Sequence, residues 1–256
     1  MDNLIFEKMF MDILEEELVP AKGCTEPISV AFAGAKAREL LGEMPEEVII
    51  QASGNLIKNI RCVTVPNTGN LVGIEASVLA GIVGGDSSLE LEVIANFKAK
   101  HIKKLNEYLL KDIVKIKLLD TNKNLHFILT ATSRNHNVEI EITDLHTNII
   151  RIIKDGKPIV EKDIADNEFF GVETDRWILT IENILKFTEE VDIEKVKPLL
   201  DRQIKYNLAI ARKGLKSDFG VSIGQTILKH DQGIFSRIKA YTAAASEARM
   251  SGCSLP

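Results

Sequence analysis

The apolar positions follow a helical period in the first and last parts of the chain and a two-residue period in the middle. Leu4 to Val19 repeats apolar residues at spacings of three and four with acids between them, which predicts an amphipathic helix ended by Pro20. The same reasoning predicts the other elements of the first part. These are helices over 28–41 and 91–110, a helix between the PNTG turn and Gly84-Gly85, a strand over 47–52, and a turn in SGNLIKN.

Between Asp112 and Asp166 apolar and polar residues alternate, which is typical of half-buried strands. The segments DIVKIKLLD, LHFILTATS, NVEIEITD and TNIIRIIKDGKPIV predict a meander of about four strands with short turns, one of them at Asp155-Gly156. The helical period then returns over 177–190, 193–215, 221–230 and 234–250. We therefore predict an α+β fold, with a helical body formed by 1–111 and 167–256, including the short strand near 47–52, and an inserted antiparallel β-rich lobe at 112–166.

Composition and charge narrow the classes of partner. The 256 residues are 45% apolar and 27% charged, an ordinary balance for a folded globular protein. The net charge of -5 gives no broad basic surface, so we expect no nucleic-acid partner. The first residues lack the basic and uninterrupted apolar regions of a secretion signal, and no apolar run is long enough to span a bilayer. We expect no membrane partner and a cytoplasmic location.

Three cysteines, an odd number without an export signal, do not suggest a disulfide framework. Cys24 lies just ahead of Thr25, the predicted N-cap of an Ala-rich helix. The helix dipole is expected to lower the thiol pKa there, which would make a thiolate available to bind a metal or attack an electrophile. The alternative is a small buried residue before a helix. Cys253 also follows a glycine, at the end of another Ala-rich helix. Cys62 lies in an apolar run and is predicted to be a core residue.

The strings GCTEP, SGNLIKN, PNTG, AGIVGGD, DLHTNI, NLAIA and AAASEARMSGC follow one another along the whole chain. In this order they resemble the L-cysteine desulfidase family, lyases that use no pyridoxal phosphate and are related to the iron-sulfur L-serine dehydratase alpha chain. The resemblance implies a 4Fe-4S cluster held by three cysteines, with Cys24 and Cys253 as two of the ligands. The third is expected in a later Gly-rich and Ser-rich region, so the chain resembles an amino-terminal portion that lacks the carboxy-terminal segment.

The activity implied by this resemblance is β-elimination of L-cysteine to pyruvate, ammonia and sulfide. Three alternatives stay open: an L-serine dehydratase activity, a non-catalytic remnant that binds an amino acid or a partner, and complementation by a separate carboxy-terminal chain. A homo-oligomer that completes the site is a further arrangement. The small-molecule partner expected in each catalytic case is an amino acid.

Two residues are candidates for the base that removes the α-proton. His146, in DLHTNI, titrates near neutrality, and its alternative role is a turn histidine that bonds local backbone. Glu26, near Cys24, is the other candidate, but its position in the first turn of a helix is equally explained by the favourable interaction of an acid with the helix dipole. The remaining histidines are predicted at the surface: His101, His126, His136 and His230.

The candidate substrate-binding residues lie in polar turns and near the second Gly-Cys turn. Such turns can cradle a carboxylate, although turn chemistry alone also explains these residue types. Lys58 and Arg61 could pair with the same carboxylate, and Arg249 has Glu247 as an alternative partner. The predicted substrate-binding set is Ser53, Asn55, Asn67, Thr68, Asn148 and Arg249.

Overall fold

The computed structural model describes residues 3–162 and 174–255 as helices packed on and beside one mixed sheet, and the predicted α+β class is confirmed. The predicted boundary between residues 166 and 167 lies outside the described residues. The helices are α1 (Asn3–Glu17), α2 (Thr25–Leu41), α3 (Gly54–Ile60), α4 (Gly73–Gly84), α5 (Ala99–Leu109), α6 (Ile181–Glu190), α7 (Ile193–Lys216), α8 (Ile223–His230) and α9 (Ile234–Met250). The strands are β1 (Glu47–Ala52), β2 (Val114–Leu118), β3 (His126–Thr132), β4 (Asn137–Thr143), β5 (Ile149–Lys154) and β6 (Lys157–Glu161).

The sheet has the strand order β2-β1-β3-β4-β5-β6. Every neighbouring pair is antiparallel except β1 and β2, so the sheet differs from the predicted antiparallel lobe by one parallel pair. The strand predicted near 47–52 lies inside this sheet, between β2 and β3. Asp155 and Gly156 form the predicted turn between β5 and β6, and both have the positive φ that such a tight hairpin requires.

The main core lies between one face of this sheet and α2 with α4. Alternate residues of β3 and β4 point into it, as in Phe127 and Ile140, which are fully buried. Helices α2 and α4 touch backbone to backbone, since a Cβ added to Gly81 would lie 1.8 Å from the carbonyl oxygen of Ala31. The small residues predicted along the second helix therefore serve the close approach of α4.

Two smaller apolar clusters lie outside the main core. One joins α1, α6 and α7 through residues such as Phe10 and Phe187, whose rings stack with centroids 4.6 Å apart. The other joins α7, α9 and Cys253. Arg176 connects α1 to the chain before α6, because its buried guanidinium donates to Glu16 Oε2 at 2.7 Å. Of the helices that the structure describes, none has both the length and the apolar character needed to cross a membrane.

Three local predictions were wrong. SGNLIKN was predicted as a turn, but it forms α3 with Ser53 as its N-cap, because Leu56 and Ile60 are buried in the main core. The helix predicted over 91–110 begins only at Ala99 and is preceded by a separate 3-10 helix at Ser87–Glu92. The helix predicted over 177–190 is likewise divided into a 3-10 turn at Arg176–Ile178 and α6.

Candidate functional site

The site is built around the start of α2. Gly23 has a φ of 81° and lies so close to Pro66 that an added Cβ would be 2.4 Å from its Cγ. This glycine lets the chain turn against Pro66 and enter α2. Cys24, rather than the predicted Thr25, is the N-cap residue; its backbone is extended, and its side chain makes no capping hydrogen bond. The thiol is therefore free to point toward another partner.

That partner is Glu26, at the centre of a group of four side chains that we call the Glu26 cluster: Cys24, Glu26, Asn59 and His146. The Cys24 thiol donates to Glu26 Oε2 at 3.0 Å, and Asn59 Nδ2 donates to Glu26 Oε1 at 3.3 Å. His146 comes from the loop between β4 and β5, and its backbone oxygen accepts a 2.5 Å hydrogen bond from Ser29 of α2. The structure thus brings Cys24 and both predicted bases to one place.

The environment sets the protonation states of this cluster. Burial, together with the hydrogen bond to Glu26, raises the pKa of the Cys24 thiol to about 12. The prediction of a lowered thiol pKa was wrong here, because burial and a neighbouring carboxylate outweigh the helix N-terminus. Burial acts to raise the pKa of Glu26, but hydrogen bonds, the one from Cys24 first among them, and nearby His146 lower it overall. Burial lowers the pKa of His146 against the opposing effect of Glu26. Near neutral pH the cluster holds a thiol, a carboxylate and an uncharged imidazole.

Behind Glu26 lies a small cavity of about 140 Å³. Asn55 and Asn59, one helical turn apart on α3, line it together with Glu26 and His146. Of the predicted substrate-binding residues, Asn55 is the one that lines this cavity, where its side-chain oxygen also accepts from Lys58 at 3.2 Å. The remaining lining residues are Leu56, Asn124, Leu125 and Asp144.

On the other side of Cys24 lies a larger opening of about 520 Å³, which we call the cleft. It separates the chain segment 17–25 from one face each of α7 and α9. Arg249 Nη2 donates to Asn207 Oδ1 at 2.8 Å, and Arg202 Nη2 donates to the backbone oxygen of Leu18 at 3.0 Å. The cleft is lined by Glu17, Leu18, Val19, Pro20, Ala21, Gly23, Cys24, Thr25, Arg202, Gln203, Tyr206, Asn207, Thr242, Ser246, Arg249 and Met250.

The second Gly-Cys turn reaches the same part of the molecule. Gly252 has a φ of 78°, and an added Cβ would lie 2.6 Å from the side chain of Thr64. The Thr64 N–H also donates to Met250 O at 2.9 Å. Cys253 is buried, and its own N–H donates to Ala248 O at 3.0 Å. The two Gly-Cys turns, from opposite ends of the chain, therefore both pack against the short segment 64–66.

The other polar turn residues already have partners. Ser53 accepts from the N–H of Leu56 and donates to Asn124 O at 2.7 Å. Asn67 Nδ2 donates to Ile94 O at 3.2 Å, and Thr68 donates to Val65 O at 2.8 Å. Asn148 Nδ2 donates to Thr143 O at 3.1 Å and its oxygen accepts from Lys162 at 3.0 Å. These bonds stabilise loops and a helix start, and a substrate-binding role for these four residues stays a prediction.

Two further expectations were wrong. Cys62 was predicted as a core residue, but it is exposed because α3 ends at Ile60 and the chain turns outward. His126 was predicted at the surface, yet it is half-buried, with Nε2 at 2.9 Å from Glu141 Oε1. By contrast, His230 is exposed, and His101 and His136 are partly exposed.

Among the charged residues near the quoted motifs, Glu247 and Arg249 form hydrogen bonds within the fold. Glu247 accepts hydrogen bonds from the N–H groups of Val221 and Ile223, at 3.0 Å for each of its closest contacts, and so holds the start of α8. It is not the partner of Arg249, which bonds Asn207 instead. Arg61 is exposed next to Cys62.

Arg249 is the predicted substrate-binding residue that lines the cleft, and several other lining residues were not predicted from the sequence. On α9, Thr242 and Ser246 precede Arg249 at spacings that place all three on one helix face. On α7, Arg202 and Tyr206 are four apart and face the same cleft. This polar periodicity was visible in the sequence. Among residues 3–162 and 174–255, no group of three or more His, Cys, Asp and Glu side chains is arranged to hold a metal ion.

Comparison with known proteins finds relatives that share nearly the whole chain. The UPF0597 protein of Treponema denticola is 41% identical over 253 residues, which cover 96% of this chain and 59% of the relative. The UPF0597 protein of Lachnoclostridium phytofermentans is 44% identical over 250 residues, covering 97% of this chain and 60% of the relative. The chain thus spans about three fifths of the length of these relatives, whose shared name states no activity. No family model matches the chain, and no solved structure matches it.

Proposed function

We propose that this chain is the cysteine-bearing part of an L-cysteine desulfidase, a lyase that converts L-cysteine and water to pyruvate, ammonia and sulfide. The observation that carries the proposal is the packing of both Gly-Cys turns on segment 64–66. Each turn needs a glycine at positive φ, and each presents a cysteine directly after it. Cys24 lines the cleft, whereas Cys253 is buried in the small apolar cluster between α7 and α9, so the shared packing of the two turns, and not a shared cavity, supports a metal cluster. With its cysteines free, we further propose a reducing, cytoplasmic setting.

The donor set fits the implied 4Fe-4S cluster in part. Cys24 and Cys253 would supply two thiolates, and a third thiolate would come from a segment outside these 256 residues or from another chain. When bound, a cluster held by three cysteines supplies an iron with an open position, which can act as a Lewis acid. Cys24 must lose its proton to serve as a ligand, and Glu26 Oε2 already accepts that proton in a hydrogen bond.

The Glu26 cluster supplies the proton chemistry of the reaction. Elimination removes the α-proton of cysteine, breaks the Cβ–S bond and leaves aminoacrylate, which water converts to pyruvate and ammonia. His146 is uncharged near neutral pH because burial lowers its pKa, so its free ring nitrogen can accept a proton. Glu26 stays ionised because Cys24 and Asn59 donate to it. We assign the base to His146, with the ionised Glu26 as the acceptor of the hydrogen bond that the Cys24 thiol donates.

The test is anaerobic reconstitution of the chain with iron and sulfide, alone and in parallel with the full-length Treponema denticola relative. We expect a broad absorption band of an iron-sulfur cluster and release of pyruvate and sulfide from L-cysteine. Cys24→Ser and Cys253→Ser should lose the band, whereas Cys62→Ser should keep it, because Cys62 is exposed. His146→Gln should keep the band and lose activity by about 100-fold or more, the usual contribution of a general base.

The results also separate the alternatives. Faster turnover of L-serine than of L-cysteine would replace the desulfidase by a dehydratase. A band in the full-length relative but not in this chain would mean that a further segment completes the ligand set. A folded, colourless and inactive protein in both cases would refute the iron-sulfur lyase and leave a binding role.

A further inference from the structure

The cleft beside Cys24 is lined by two arginines and one carboxylate, so it carries more positive than negative charge. Arg202 of α7 and Arg249 of α9 both line it, and neither forms an ion pair with a carboxylate among the residues that the structure describes. The acidic lining residue, Glu17, accepts a hydrogen bond at 3.0 Å from Arg176, which lies outside the lining. We infer that the cleft is a binding site for the carboxylate of a small organic acid, held by Arg202 and Arg249.

The hydrogen bonds that the two guanidinium groups do make explain how they are oriented. Each group donates to one neutral oxygen: Arg202 to Leu18 O at 3.0 Å, and Arg249 to Asn207 Oδ1 at 2.8 Å. A guanidinium has five N–H donors, so several remain available on each side chain. Neutral acceptors fix the direction of the planar group and leave its charge uncompensated. An arginine prepared in this way matches the fork-like geometry of a carboxylate.

The remaining lining suits an amino acid or a 2-oxo acid. Tyr206 and Ser246 bring hydroxyl groups from α7 and α9, and Cys24 lies on the opposite wall. The volume of about 520 Å³ falls within the range of small-molecule sites, about 300 to 1,000 Å³. His146 lines the smaller cavity and not the cleft, so the inference concerns where the acid binds and not which group removes its proton. It rests on the proposed function only for the choice of cysteine as substrate.

The experiment measures binding to the chain without iron, so it does not depend on a cluster. Isothermal titration calorimetry at about 0.15 M salt, the physiological level, measures the binding of L-serine and pyruvate. Ethanolamine, which lacks the carboxylate, is the comparison ligand. We expect the two acids to bind and ethanolamine to fail. Arg202→Gln and Arg249→Gln should each weaken pyruvate binding by about 10- to 100-fold, the usual loss for a charged hydrogen bond. Arg202→Lys and Arg249→Lys should weaken pyruvate binding less, because lysine keeps the positive charge.

Matched controls come from the same helices. Arg212→Gln on α7 and Arg237→Gln on α9 remove the same charge from exposed positions outside the cleft, and should leave affinity unchanged. Circular dichroism checks that every variant folds. If a glutamine variant does not fold, the corresponding lysine variant still tests the inference. No binding of either acid, equal binding of ethanolamine, or equal losses in the control variants would overturn the inference. Pyruvate binding that depends on both arginines would uphold the inference even if this chain and the full-length relative both stayed colourless and inactive after reconstitution, which is the result that refutes the lyase.

Discussion

Two regions of the molecule are both packed through glycines at helix contacts, but they differ in how much apolar surface they bury. The sheet side consists of the sheet with α2 to α5, and the helical side consists of α1 and α6 to α9. In both, a glycine lets two helices touch: Gly81 of α4 meets Ala31 O, and a Cβ on Gly214 of α7 would lie 2.2 Å from Ala244 O. Around Gly81, however, the apolar side chains form one continuous core with the sheet. Around Gly214 the buried cluster is small, and large apolar residues such as Phe235 of α9 remain 76% exposed.

The candidate site lies where these two regions meet. Cys24, Glu26 and His146 belong to the sheet side. Arg202 and Arg249 lie on α7 and α9, and Cys253 follows α9 and packs against both helices. The link between the two sides includes the bond from Thr64 N–H to Met250 O. A continuous core thus positions the Glu26 cluster, and a less extensively packed helical layer carries the arginines of the cleft. Mutations in the two regions should therefore have effects of different size and reach.

The largest effect should come from Gly81→Ala. The added methyl cannot fit beside Ala31, so α2 and α4 must separate, which we expect to lower the free energy of unfolding by about 3 kcal/mol. Urea unfolding followed by far-ultraviolet circular dichroism measures the change. Gly214→Ala should cost less, because α7 and α9 can move apart toward solvent. Gly54→Ala is the control, since its new Cβ would meet only Leu118 Cδ1 at 3.6 Å. Equal costs for Gly81→Ala and Gly214→Ala would contradict the contrast between the two regions.

How far the sequence predicted the fold differs between these regions as well. α2 and α4 were predicted because small residues and glycine stops are local signals. α3 was missed because Ser53, Gly54 and Asn55 are typical turn residues, and the helix depends on burial of Leu56 and Ile60 in a core formed by distant segments. The sequence could not reveal the parallel pairing of β1 with β2, since it joins segments separated by four helices or helical turns.

For the site, single residues could be predicted and their neighbours could not. The two Gly-Cys turns were evident, but their meeting at segment 64–66 depends on the packing of α9 beside the sheet side. The raised pKa of Cys24 did have a local signal in Glu26, two residues later, whose carboxylate accepts the thiol hydrogen. Asn59 could be placed beside Glu26 only after SGNLIKN was known to be helical.

A smaller effect, confined to the sheet side, should appear on acidification. Burial lowers the pKa of His146, so below about pH 6.5 the unfolded chain binds a proton that the folded chain resists. The free energy of unfolding should therefore fall as the pH drops from 7 to 5. His146→Gln should make this dependence shallower, whereas His230→Gln, at an exposed position on α8, should leave it unchanged. Identical pH profiles for His146→Gln and the unmodified chain would show that this imidazole is solvated in the folded protein.

The smallest effect should come from the exposed apolar face of the helical side. Phe235 of α9 is 76% exposed, so Phe235→Ser should change the free energy of unfolding by less than about 0.5 kcal/mol. Phe187→Ser is the contrasting variant, because Phe187 is buried and stacks on Phe10, and its loss should cost several times more. Fluorescence of Trp177, the single tryptophan, follows unfolding on this side. A loss above about 1 kcal/mol for Phe235→Ser that disappears on dilution would mean that a second copy covers this face, and sedimentation velocity would then detect the dimer. In that case the core of the helical side would be completed by association with the second copy. The two regions would then differ in whether a partner covers them and not in how they are packed.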